Sequence, residues 1–244
     1  MSLSQLFLSF ALAVSCAALA LPSMSHAADF GAAAPVPPRQ QRPTKLPPPT
    51  EDPDLKIAYA AYQRDDIATA YAAYLRAAKR GQAIGQFNVA VMAFNGTGTR
   101  RDAAASRRWL ARAATQGFAL AQYNLGLLYE NGTGVKRSQK DASAWFLRAA
   151  EQDHVDAQLA VATQYLLGRG IEKSDARAAQ WYERAAKGGS MDAQYNIASL
   201  YEHGEGVPTD RERAIHWYAE AGKQGDRAAL EKVRVLSEAR APQR

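Results

Sequence analysis

Four tryptophans, four histidines and four Gly-x-Gly pairs are the residues of this chain whose types and spacing could do chemistry. Aromatic rings can grip sugars or bases, imidazoles can ligate metals or move protons, and glycine loops can cradle phosphates. The spacing argues against all three. Trp109, Trp145, Trp181 and Trp217 lie 36 residues apart, and the pairs Gly96/Gly98, Gly132/Gly134, Gly168/Gly170 and Gly204/Gly206 keep the same interval. Side chains that recur once per fixed period repeat a packing role instead of building one site. The glycine pairs follow no strand and lack both the third glycine of a dinucleotide fingerprint and a Gly-Lys-Ser/Thr ending. His154, His203 and His216 hold unrelated positions within their periods, and no His-Glu-x-x-His occurs. Neither Gly-x-Ser-x-Gly nor Ser-x-x-Lys is present, and Asp65-Asp66 fits a turn followed by a helix cap. The sequence therefore points to no catalytic residue, no metal ligand set and no cofactor.

The elements that hold these residues come from the same period. No insertion breaks it between residues 82 and 225, which gives four units: 82–117, 118–153, 154–189 and 190–225. In the second unit, Ala121, Leu125, Leu128 and Tyr129 share one side of a first helix that Gly132 and Gly134 end. A second helix starts at Ser138 and carries Ala142, Trp145, Phe146 and Ala149. Asp102, Ser138, Ser174 and Asp210 are equivalent and are good N-caps. Small residues recur at Ala90, Gly126, Ala162 and Ala198, where close packing needs them. The tryptophans and the residues after them (Leu110, Phe146, Tyr182, Tyr218) are expected to fill the space between helix pairs. Residues 54–81 read as a partial repeat, and 226–244 as a polar capping helix with a tail, since a terminal repeat needs a solvated outer face.

This pattern resembles the Sel1-like repeat, a relative of the tetratricopeptide repeat. The residues that carry the resemblance are AQYNLGLLYENGTGV (121–135), Ala142, Trp145-Phe146 and Ala149-Ala150, with Trp181-Tyr182 and Trp217-Tyr218 matching more closely still. Thr99 and Leu110 in the first unit depart from it. The resemblance implies an all-α, right-handed α-solenoid of helix–turn–helix repeats, and a role in binding or scaffolding other proteins.

Residues 1–27 read as a signal peptide, with an apolar run from Leu6 to Leu21 and a small-x-small site that predicts a cut between Ala27 and Ala28. No Lys or Arg precedes the run. The expected location is periplasmic or secreted, with no transmembrane segment in the mature chain, which is expected to be a monomer. Cys16 is the only cysteine, so a mature chain would hold itself together by packing alone. Eight of the eleven prolines fall in 28–53, the pattern of an extended linker. The net charge of +6 is uneven. Unit one places Arg100, Arg101, Arg107, Arg108 and Arg112 against Asp102, whereas unit four is acidic. That polarity along a rod argues against nucleic acid as a partner.

A partner is expected on the side of each first helix opposite the core. Those positions are Phe87, Val91 and Phe94 in unit one, Tyr123, Leu127 and Glu130 in unit two, Leu159, Thr163 and Leu166 in unit three, and Tyr195, Ser199 and Glu202 in unit four. In tetratricopeptide-like folds this side lines the concave surface. It would form a groove that is apolar over three units and polar at the fourth, suited to a peptide or helix. The same residues could equally pack within the superhelix. The function that follows is an exported scaffold or adaptor for protein–protein interaction. One alternative is a polysaccharide-binding or cell-wall enzyme accessory protein, which exposed tryptophans would favour. Another is a cytosolic scaffold that keeps its N-terminus.

Overall fold

A computed structural model describes residues 51–238. The signal peptide, its cleavage site, Cys16, the linker up to residue 50 and the tail from residue 239 lie outside the described residues. All regular structure among the described residues is helical: α1 (Pro53–Gln63), α2 (Ile67–Lys79), α3 (Ala83–Asn95), α4 (Ala103–Thr115), α5 (Ala119–Asn131), α6 (Gln139–Ala150), α7 (Val155–Leu167), α8 (Asp175–Lys187), α9 (Met191–His203), α10 (Arg211–Lys223) and α11 (Arg227–Glu238). Each helix packs on the one before and the one after, which makes the chain an α-solenoid of helix pairs.

The local chemistry that starts and stops these helices repeats with the period. Asp66, Asp102, Ser138, Ser174 and Asp210 each accept the N–H three residues on, capping α2, α4, α6, α8 and α10. The first helices α3, α5, α7 and α9 end at Gly96, Gly132, Gly168 and Gly204, all with φ between 65° and 75°, a conformation that a side chain resists. After each second helix the chain reverses at another left-handed residue. It is glycine at 81, 117, 189 and 225, but Asp153, at φ 60°, after α6.

Asp153 compensates for a break elsewhere. A glutamine in the first turn of each first helix donates to the end of the preceding helix: Gln86 to the Ala78 carbonyl, Gln122 to Ala114, Gln158 to Ala150 and Gln194 to Ala186, at 3.2–3.3 Å. Three of these amides are also clasped by a second glutamine, Gln116 on Gln86, Gln152 on Gln122 and Gln224 on Gln194, at 2.7–2.8 Å. The register places Gly188 where the fourth clasp should be. There Gln158 donates to the Asp153 carboxylate instead, at 3.1 Å, and Arg184 pairs with the same oxygen at 3.0 Å. Buried amides without partners are costly, so each junction keeps its bond by whichever residue is to hand.

The two ends use different solutions. Residues 53–79 form a complete helix pair, shortened at its turn, since only Arg64, Asp65 and Asp66 join α1 to α2 where seven residues join α3 to α4. The four-residue offset puts Asp54 in the glutamine position, and Arg76 and Arg80 of α2 clasp it as an ion pair. Ile57 then falls in the position that Val89, Leu125, Val161 and Ile197 bury at 0–3% exposure, yet it is 45% exposed because no helix pair precedes it among the described residues. At the other end, α11 has the register of a first helix, and no second helix follows it among the described residues. Arg234 occupies the slot of Ala90, Gly126, Ala162 and Ala198, and is paired with Glu231 and Glu238. The small residue of the other units is thus replaced there by a long, charged and exposed one.

Candidate partner-binding face

The small-residue slots fix where the candidate residues sit. A Cβ added at Gly126 would lie 2.6 Å from the Phe146 ring, so α6 presses its aromatic directly onto α5. Tyr123, Leu127 and Glu130 flank this contact on α5 and are half-buried.

The structure places the twelve candidates in three columns with different degrees of cover. In the first column, Phe87 is only 6% exposed and meets Phe118 edge to face at 5.5 Å. Of the two roles open to it, Phe87 takes packing between units, because the N-cap residue of α5 closes over it. Tyr123 lies between Phe146 (5.5 Å) and His154, on which it stacks at 4.8 Å. Tyr195 meets Tyr218 at 5.1 Å, and Leu159 is half-buried at the edge of the core. The second column is more open. Val91 and Leu127 are half-buried. Thr163 donates to the Leu159 carbonyl at 3.0 Å and lies 3.1 Å from the Tyr182 hydroxyl, and the carbonyl of Ser199 is 2.9 Å from His203 Nδ1. In the third column, Phe94 lies under the Arg101 guanidinium at 5.6 Å, and Leu166 is half-buried beside Leu167, which is 49% exposed.

Glu130 and Glu202 complete that column in opposite states. Burial pushes the Glu130 carboxyl above its ordinary range, and Arg169 offsets this only in part. Burial acts on Glu202 too, but hydrogen bonds from the Tyr218 hydroxyl (2.7 Å) and Lys232 (2.9 and 3.1 Å) together hold it below its ordinary range. Burial also raises the phenols of Tyr123, Tyr182 and Tyr218 and lowers His154. Among the described residues no group of three or more His, Cys, Asp or Glu could hold a metal ion.

The tryptophans are half-buried, and the residues after them are the buried ones: Leu110, Phe146, Tyr182 and Tyr218 are 0–2% exposed. The expectation that both fill the space between pairs therefore divides. The second residue seats in the small slot of the same unit, while the tryptophan covers the edge of the core. Its outer side is taken as well. Arg112, Arg148 and Arg184, one turn on, lie over Trp109, Trp145 and Trp181 at 4.4–4.8 Å. Rings covered in this way are not open platforms for sugar. Unit four replaces the arginine with Glu220, and Trp217 meets His216 instead.

His154 and Lys232 were not apparent from the sequence as contributors to this face. His154 caps α7 through Nδ1 and stacks on Tyr123, and its only signal was its place beside the left-handed residue. Lys232 reaches Glu202 across 30 positions, which is visible only once α11 is seen to continue the register.

The Sel1 repeat profile matches residues 83–118, 119–154, 155–190 and 192–226, more than half of the chain. Similar solved structures include the following two. One is c5321, described as a protective antigen present in uropathogenic Escherichia coli strains and displaying an SLR fold, with 30% identity and a TM-score of 0.71 over 76% of this chain and 41% of that one. The other is a Sel1 repeat protein from Oxalobacter formigenes, with 31% identity and a TM-score of 0.66 over 70% of this chain and 49% of that one. The present chain spans less than half the length of either. No curated protein matches the sequence.

Proposed function

From the premise that the chain belongs to the Sel1 repeat family, whose members are generally protein-interaction scaffolds and typically non-enzymatic, we propose that it is an exported adaptor that holds a peptide or helix of a protein partner on the inner face of its first helices. The observation that carries the reading is the run of half-buried apolar side chains along that face, Val91, Phe94, Tyr123, Leu127, Leu159 and Leu166, continued by the exposed Leu167. Contiguous apolar surface of this kind marks interaction sites in soluble proteins, and anchors spaced along a groove suit an amphipathic helix or an extended segment. Phe87 is left out of the site, and unit four closes it with polar groups. Export rests on the apolar N-terminal run and the small-x-small site before Ala28. No helix among the described residues is long and apolar enough to cross a membrane.

The test is the pair Leu127→Lys and Leu159→Lys. A lysine stem covers the same apolar neighbours while its ammonium reaches water, so packing survives and the groove gains charge. Capture of the cellular partner should fall while helicity is kept. Unchanged capture would contradict the reading, and loss of helicity would assign both residues to the core.

A further inference from the structure

We propose that the cleft between α4 and the turn 132–138 is a second binding site, one that seats a carboxylate-bearing segment of a protein partner. It shares no residue with the inner face, so it stands or falls independently of the function proposed above.

The cleft is a place where the repeat departs from itself. In three units the second glycine of the turn sits against the start of the preceding second helix. A Cβ added at Gly98 would press on Ile67 and Tyr71, one at Gly170 on Gln139 and Ser143, and one at Gly206 on Asp175 and Ala176. One added at Gly134 would meet nothing within 4 Å. Unit three shows one way in which a turn is held close. Ser143 ties its turn down by donating to the Arg169 carbonyl at 3.2 Å, as well as to Gln139 in its own helix. One period earlier the residue is Arg107, whose long side chain makes no such tie. The turn stands off from α4, and a cleft of about 580 Å³ opens between them.

Its lining has the chemistry of an acceptor site for acid groups. Arg107, Lys136 and Arg137 face Asp141, so three cations stand against one carboxylate. Among the described residues Arg107 and Lys136 form no ion pair, and Arg137 spends only its Nε on the Glu130 carbonyl at 3.0 Å. Guanidinium forks match the two oxygens of a carboxylate. Tyr129 and Val135 give the wall an apolar stretch for the methylenes of an acidic side chain. The size lies within the roughly 300–1,000 Å³ typical of sites that enclose ligand groups, more room than a single small ion needs. Cationic walls on both sides and an open mouth suit aspartate or glutamate presented by a passing chain.

The test uses the full chain with a labelled oligoglutamate peptide and an oligoglutamine peptide of equal length, read by fluorescence anisotropy. The glutamate peptide should bind and the glutamine peptide should not, and binding should weaken as salt rises from about 50 to about 300 mM. Arg107→Gln with Lys136→Gln should weaken it about tenfold with an unchanged melting temperature, since neither side chain has a partner to lose. Arg227→Gln, at the far end of the solenoid, and Leu127→Lys, on the inner face, should leave it as it is. The proposal is overturned if the wild type fails to bind, if Arg227→Gln weakens binding as much as the cleft variants, or if Leu127→Lys abolishes it. It is also overturned if millimolar inorganic phosphate displaces the peptide where acetate at equal ionic strength does not, which would make the cleft a small-oxyanion site.

Discussion

Units two and four are near copies in sequence, AQYNLGLLYENGTGV at 121–135 against AQYNIASLYEHGEGV at 193–207, yet their equivalent glutamates titrate in opposite directions. Both carboxylates lie in the last turn of a first helix and both are partly buried. The difference lies outside the copied segment. α6 offers Phe146 in the position where α10 offers the hydroxyl of Tyr218, and only α11 supplies a lysine, Lys232. In a repeat protein the neighbour, more than the unit itself, sets the chemistry of a position. Unit two surrounds its carboxylate with apolar groups that tolerate the charge poorly, whereas unit four pairs its own with a hydroxyl and a lysine.

The largest effects should fall on what the two units share. Phe146→Ala and Tyr218→Ala should each cost about 3–5 kcal/mol, since both side chains are fully buried against a small-residue slot. Trp145→Ala should cost less than either, because its ring covers the edge of the core and is not fully buried. Urea denaturation of the three variants measures this, and a larger loss at Trp145 would return the tryptophans to the centre of the packing.

A smaller effect separates the units. Lys232→Met should cost about 1 kcal/mol, a charged hydrogen bond discounted for the exposure of the lysine, and should raise the Glu202 pKa toward the behaviour of Glu130. Carboxyl NMR titration reads this directly. The acid limb of stability follows the same logic. Glu202, held below its ordinary 4.5, contributes stability that is present at neutral pH and is lost as pH falls through its lowered value. Glu130, raised above 4.5, is strained when ionised and relaxes as pH falls through its raised value. Glu130→Gln should therefore stabilise at pH 7 and Glu202→Gln should destabilise, and the two stability–pH curves should converge toward wild type in acid.

The smallest effect is expected in unit three. Gln164 is 3% exposed in a column otherwise filled by Met92, Leu128 and Leu200, and its side chain helps to hold down the Glu130 carboxyl. Gln164→Leu should change stability at pH 7 by no more than about 1 kcal/mol and should raise the Glu130 pKa further, read by carboxyl NMR titration. An unmoved Glu130 would show that the amide does not act on it.

The period, the caps and the left-handed turns were legible in the sequence because each depends on local geometry that one residue type satisfies best. Asp66, Asp102, Ser138, Ser174 and Asp210 cap, the glycines turn, and Asp153 tolerates φ 60°. What depends on neighbours was not legible. Helical spacing leaves Phe87 open to groove lining or packing, and only its contact with Phe118 decides. The N-terminal pair looked truncated because its turn is four residues shorter and an Asp54–Arg80 pair replaces a glutamine clasp. The tryptophans could not be separated from the residues after them, since helical spacing puts both near the core and only the slot at Gly126 and its equivalents decides which one enters.

The central claim, that the inner face of the first helices receives a partner, is tested most directly by photo-crosslinking from defined positions in cells of the source organism. A photoreactive side chain at Val91 or Leu127 should trap one and the same protein, and the same group at Ala144, exposed on α6, should not. Trapping of that protein only from Ala144, or no trapping from Val91 and Leu127, would contradict the account.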